Sequence, residues 1–245
     1  MPTVTPRCCG SMRLDASVLV QGERGTVEAP SIVYLIEGEQ TILVDTGFGP
    51  VELMAEYHPS YRCHRAPGQD LRSILDSEGL APSDVDAVVL SHLDWDHCYG
   101  LDAFPEATVY VQREELAYAV APYPIHADRY DATSLDREPP WLPIDLTPLS
   151  GETELCPGVT AFPTPGHTVG HQSVAVEERG ETTLVAADAV QTFENAPEDD
   201  DPIPGQPMDD VAWWESATEV LDRADRLLPG HEWGVLDAEP VGLAD

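Results

Sequence analysis

The chain has 245 residues, 45 of them acidic and 12 basic, which gives a net charge of −33, and all twelve basic residues are Arg. Such a surface repels phosphate, so nucleic-acid binding through cationic side chains and docking on anionic lipid are excluded as main activities. At 42% hydrophobic residues the chain is no disordered acidic tail and can bury a core.

In chain order, residues 1–10 lack the apolar stretch of a secretory signal and read as a flexible end that carries Cys8 and Cys9. Strand-like runs follow at 17–21, 31–37 and 40–45, the last two joined by Gly38-Glu39 as a hairpin. A loop, Thr46-Gly47-Phe48-Gly49, comes next. Residues 69–78 carry Leu71, Ile74 and Leu75 at helical spacing and stop at Gly79. Residues 86–91 read as a buried strand, 108–112 as another strand and 113–120 as a helix. The stretch 121–148, rich in Pro and aromatic residues, is expected to form a long loop or cover. Strands are expected at 144–149, 159–163, 172–177 and 182–186. An acidic, Pro-rich connection over 194–207 then leads to a helix over 210–227. Strands and helices alternate through both halves, so the reading is α/β, one domain over 1–245. No segment approaches the ~18 apolar residues of a membrane span. Five cysteines without a C-x-x-C pair give no disulfide framework and point to a reducing compartment.

The charge also says something about solvent. Self-repulsion among so many carboxylates weakens a compact state in dilute buffer, whereas molar salt, with a Debye length of about 3 Å, screens it. The composition reads as that of a cytoplasmic protein from a salt-loaded cell.

The chemistry concentrates in Ser91-His92-Leu93-Asp94-Trp95-Asp96-His97, directly after a buried strand. Four donors in six positions are costly to desolvate together unless cations neutralise them, and a divalent metal does so. Downstream, Pro165-Gly166-His167-Thr168 and Pro229-Gly230-His231 each place a His behind a Gly after a strand, and Asp188 ends the 182–187 run. A carboxylate there can bridge two ions through its two oxygens. Seven donors, with Asp188 counted twice, give each of two ions four ligands.

This pattern resembles the metallo-β-lactamase superfamily, with its H-x-H-x-D-H motif, PGHT, strand-end Asp and terminal His. Within it the chain is similar to the N-acyl homoserine lactonase group, judged from the 88–93 and 109–116 runs, from Pro163-Thr-Pro-Gly-His-Thr-Val-Gly-His-Gln172, and from Glu194-Asn195 after the bridging Asp. The resemblance implies a four-layer αββα sandwich with the site at one edge. It further implies that His92, Asp94 and His167 hold one metal, that Asp96, His97 and His231 hold a second, and that Asp188 bridges them. The ions implied are two divalent metals, zinc first. Asp94 stands where the family has a second His, and its hard oxygen turns preference toward iron or manganese. Gln191 stands where lactonases commonly have a Tyr that hydrogen-bonds the substrate carbonyl.

The function implied is dinuclear hydrolysis of an ester-type bond, foremost a lactone such as an N-acyl homoserine lactone. Thioester hydrolysis of the glyoxalase II kind is the alternative, and di-iron redox chemistry a more distant one. Asp96 is the expected proton shuttle, and Trp95 and Phe48 are expected to rim the pocket against an acyl chain. His171 is expected to support ligands rather than bind metal, and Asp45 to hold its loop by side-chain-to-backbone bonds. His58, His64 and His126 are expected at surface or rim positions, Cys98 as a small buried hydrophobe and Trp213-Trp214 as core. The partner is a small molecule, with a homodimer left open.

Overall fold

A computed structural model describes residues 1–198 and 200–236; the segment 237–245, included in the expected domain, lies outside the described residues, as does Asp199 of the acidic run 198–201. Among the described residues twelve strands form two sheets. The first half contributes β1 (Thr3–Asp15), β2 (Thr26–Glu37), β3 (Thr41–Val44), β4 (Arg62–His64), β5 (Ala87–Val89), β6 (Thr108–Gln112) and β7 (Leu146–Leu149). These make a seven-stranded sheet in the order β4-β1-β2-β3-β5-β6-β7. It is antiparallel from β4 to β3 and parallel from β3 to β7. The second half contributes β8 (Thr153–Cys156), β9 (Val159–Pro163), β10 (Gln172–Glu178), β11 (Glu181–Ala187) and β12 (Arg226–Pro229), in the order β12-β11-β10-β9-β8. All pairs in this sheet are antiparallel except β11 with β12.

Side-chain alternation assembles the layers. In β2, Ile32, Tyr34 and Ile36 point into an inter-sheet core shared with Val159, Val174, Val176 and Val185. Val33 and Leu35 point the other way, toward α2 (Leu71–Ser77) and α3 (Arg113–Ala119), where Ile74, Leu75 and Ala119 cover them. A strand buried on both faces reads as a continuous apolar run, which is why 31–37 was legible. On the far side, Trp213, Ala217 and Val220 of α4 (Asp210–Arg223) cover Phe162, Leu184 and Ala186 of the five-stranded sheet. Helix, sheet, sheet, helix is the four-layer αββα arrangement the resemblance implied. Across the middle, the Tyr34 hydroxyl donates to the Pro229 carbonyl, tying the two sheets close to the site.

Several expectations need correction. The expected flexible end over 1–10 is a strand from Thr3 onward: β1 runs to Asp15 and pairs with β2 through a bulge at Cys8/Gly10. Residues 17–21 form no strand. Asp15 accepts from the Ser17 N–H at 2.9 Å and turns the chain into a short 3-10 segment, Ala16–Val18. The helix expected over 210–227 stops at Arg223, and Arg226–Pro229 leaves as a strand parallel to β11. Helix α1 (Val51–Tyr57), β4 and β8 are too short to carry a periodic signal. Of the tryptophan pair, Trp213 is core and Trp214 is 44% exposed. All five cysteines are free, with Cys98 buried as expected and its thiol donating to the Asp94 carbonyl. Among the described residues no helix is long and apolar enough to cross a membrane. The edge strands are short: three residues in β4, four each in β7, β8 and β12.

Candidate metal centre

The donors converge at the ends of strands in both sheets. Asp45, just past β3 with φ 61°, aims its carboxylate at the turn that follows β5. It accepts from Ser91 N and Ser91 Oγ, both at 2.7 Å, and from His97 Nδ1 at 2.8 Å. Because Ser91 Oγ donates to Asp45, it accepts from His92 Nδ1 at 2.9 Å. His231 Nδ1 donates to the Pro30 carbonyl at 2.9 Å. Each of these three rings is thereby oriented through Nδ1, with Nε2 turned to the centre. His92 Nε2, His97 Nε2 and Asp188 Oδ1 are buried without a hydrogen-bond partner. Orphaned buried atoms of this kind call for a cation.

From the other sheet, Gly166 has φ 129°, and a Cβ there would lie 2.1 Å from the Trp213 backbone nitrogen, so only Gly lets the His167 loop seat on α4. A Cβ on Gly230 would meet Asp188 Oδ1 at 2.3 Å, which fixes why His231 follows a Gly.

Tetrahedral ligands about 2.0–2.1 Å from an ion stand about 3.3–3.4 Å from one another. In the set of Asp96, His97 and His231, Nε2 of each His lies 3.7 Å from Asp96 Oδ2. Asp188 Oδ1 is 3.5 Å from His97 Nε2 and 3.3 Å from His231 Nε2. In the set of His92, His167 and Asp188, His167 Nε2 lies 3.2 Å from Asp188 Oδ2. Asp94 Oδ2 stands 3.5 Å from His92 Nε2 and 3.3 Å from His167 Nε2. The donors therefore fit divalent ions by spacing, and Asp188 turns one oxygen to each set. All seven residues singled out in the sequence come together.

The charge balance points the same way. Burial opposes charge on His97, yet Asp188, Asp96 and Asp45 push it up to about 10. Burial also opposes charge on His231, and Asp188 and Asp96 outweigh it. Burial would raise the Asp188 carboxyl, but His231, His97 and His167 hold it well below the usual range. His167 goes the other way, down to about 4, through burial and the adjacent Arg129.

His171 is no ligand, because both ring nitrogens are engaged: Nδ1 with Thr164 Oγ1 at 2.9 Å and Nε2 accepting from Asp188 N at 3.1 Å. Gln191 Nε2 donates to Asp188 Oδ2 at 3.0 Å, so its amide is spent partly on that carboxylate. A cavity of about 350 Å³ opens above the centre, with Met12, Leu14, Leu19 and Trp95 on its apolar wall. Phe48 takes no part in it; buried against Gly10 and Arg65, it packs under β1 instead. His58, expected near the surface, is buried beneath Trp95, stacked at 4.1 Å and 3.0 Å from Asp131 Oδ1. His126 lines the cavity, and His64 is half-buried on β4.

Two residues of the site escaped the sequence reading. Glu115, at the start of α3, is fully buried and accepts from Leu93 N at 3.0 Å and Gly170 N at 2.9 Å, clamping the two ligand turns together. Arg129, in the 121–148 stretch, forks onto Asp94, with Nε 2.9 Å and Nη2 2.5 Å from Oδ2. The one available signal was that a buried Asp94 needs a cationic partner.

The family described as the metallo-beta-lactamase superfamily matches residues 26–231. The N-acyl homoserine lactonase AiiA of Bacillus thuringiensis subsp. kurstaki is 33% identical over 188 residues, covering 72% of this chain and 70% of that protein. A solved N-acyl homoserine lactone hydrolase with the product N-hexanoyl-L-homoserine bound at its catalytic metal centre superposes with a TM-score of 0.79. It is 25% identical, and the match covers 94% of this chain and 93% of that one. A point mutant of B. thuringiensis AiiA, with N-decanoyl-L-homoserine bound at its active site, matches at the same TM-score, identity and coverage.

Proposed function

This chain belongs to the metallo-β-lactamase superfamily and is a metal-dependent hydrolase, and from that premise we propose that it opens lactones of the N-acyl homoserine type at a centre of two divalent ions. The observation that carries the proposal is the meeting of two donor sets on Asp188 at the floor of a cavity with an apolar wall. His92, Asp94 and His167 would hold one ion and Asp96, His97 and His231 the other, with Asp188 shared. Zinc is the first candidate, and iron or manganese suits the added oxygen of Asp94. Such ions supply Lewis acidity toward a carbonyl and a water acidified toward neutrality.

The chain's own residues do the rest. Asp96 is the half-buried member of its set and lines the cavity, so it can take a proton from the attacking water and return it to the leaving ring oxygen. Leu14, Leu19 and Trp95 offer an acyl chain a dry surface, while Asp45 and Glu115 keep the ligand turns from shifting as charge develops. The named relatives, which act on or hold N-acyl homoserine compounds, support the same substrate class. A small-molecule partner, a cytoplasmic setting and action as one domain belong to the same reading.

The test is a panel of acyl homoserine lactones and glutathione-type thioesters, run while the apo-protein is titrated with zinc or manganese. Ring opening that saturates at two ions per chain is the expected result. Thioester turnover without lactone turnover would overturn the substrate class.

A further inference from the structure

Asp94 is 5% exposed, and a carboxylate that deep needs a cation. It already has one. Arg129 Nε lies 3.1 Å from Oδ1 and 2.9 Å from Oδ2, and Nη2 lies 2.5 Å from Oδ2. The same Nη2 is 2.7 Å from His167 Nε2. A ring nitrogen accepts an N–H only through its lone pair, and that lone pair is the one a metal would use. Arginine keeps its proton at any physiological pH, so the claim on His167 does not lapse with pH and ends only when the guanidinium is moved away. The guanidinium is also anchored: Nη1 donates to the Gln206 carbonyl at 3.1 Å, and the Arg129 carbonyl accepts from Trp95 N at 2.8 Å.

The other position has no such claimant. Nε2 of His97 and Oδ1 of Asp188 face it without a hydrogen-bond partner, and the carboxylate of Asp96 stands opposite. Charge separates the two positions further. Around Asp96, His97 and His231 the carboxylates are offset only by imidazoles. Around His92 and His167 the charge of Asp94 is already neutralised by Arg129, and this pair carries the same net charge as a neutral imidazole.

We propose that the two metal positions are unequal and that Arg129 is a built-in competitor for one of them. The Asp96/His97/His231 position fills first and tightly. The His92/Asp94/His167 position takes its ion only by displacing the Arg129 guanidinium from His167, and holds it more weakly. The inference rests on the two-ion reading above and deepens it.

The experiment is metal binding to the full-length apo-protein, titrated with Zn²⁺ or Mn²⁺ alone and read by equilibrium dialysis with elemental analysis. The wild type should show two classes of site, the second at least about tenfold weaker, or about 1.4 kcal/mol. Arg129→Met keeps the apolar stem and removes the donors, and should tighten the second class by about tenfold or more. His231→Ala in the wild-type background should abolish the tight class and leave the weak one, a readout that survives if Arg129→Met fails to fold. Two ions of equal affinity in the wild type, or a tight class that persists in His231→Ala, would overturn this inference alone. One ion per chain in both wild type and Arg129→Met would overturn the two-ion reading and this inference with it. Absence of lactone turnover would leave the binding result standing.

Discussion

The two sheets deliver their donors in opposite ways. The seven-stranded sheet supplies His92, Asp94, Asp96 and His97 from one turn after β5, whereas the five-stranded sheet supplies His167, Asp188 and His231 singly, from three loops. The first is a local device. Asp45 and Glu115 grip one short segment by its side chains and backbone, and the spacing follows from the turn itself. The second is a device of backbone contact. Gly166 lies against α4 and Gly230 against Asp188 so closely that no side chain fits, and the donors are placed by tertiary packing. Damage to the turn should therefore register in how the ligands work, and damage to the loops in whether the fold holds them at all.

Asp96→Asn strikes the turn at its chemical end and has the largest expected effect. It should lower kcat by about 10²–10⁴-fold with the folded state intact. Single-turnover kinetics on a lactone, beside elemental analysis of the same sample, measures this; unchanged kcat would remove Asp96 as the proton shuttle. Asp45→Asn tests the grip behind the ligands. It keeps the shape but weakens the partner of His97 Nδ1, and should cost about 10–100-fold in metal affinity with little change in unfolding temperature. Gly166→Ala tests the loops, and its effect should appear in stability instead. A Cβ placed 2.1 Å from Trp213 N forces the loop off α4, at about 1–3 kcal/mol, read from denaturant unfolding. If Gly166→Ala left stability unchanged and lowered metal affinity as Asp45→Asn does, the two sheets would not differ in the way described.

The same contrast explains what the sequence could reveal. The turn was legible because a six-residue window holds four donors, and because Ala87–Val89 before it is uniformly apolar. The loop donors were legible only through their glycines and the resemblance. Arg129 and Glu115 were not, because an Arg in a Pro-rich stretch and a Glu on a helix carry no local mark of burial; each is defined by a partner 35 or 22 residues away in the chain. Phe48 and Trp95 looked equivalent on two loops, yet Gly10 lets the β1 backbone close over Phe48, a contact between distant parts of the chain that no periodicity encodes. For β1 the obstacle was its own composition. Pro6, Cys8, Cys9 and Gly10 break the strand pattern, and the pairing with β2 and the bulge absorb them.

The shortness of the edge strands has a further consequence. Free sheet edges are templates on which neighbouring molecules can add strands and aggregate. In dilute solution a net charge of −33 keeps copies of this chain apart, but in molar salt that repulsion reaches only about 3 Å. Among the described residues the terminal strands offer three or four residues each, and Pro148 in β7 and Pro229 in β12 lack an N–H to donate, but β4 covers only Ser11–Arg13 of β1 and leaves Thr3–Gly10 without a strand on its outer side. Colloidal stability in concentrated salt thus passes from charge to geometry: among the described residues the short terminal strands, two of them carrying Pro, are poor templates, and the outer side of Thr3–Gly10 in β1 is the longer stretch open to a neighbouring strand.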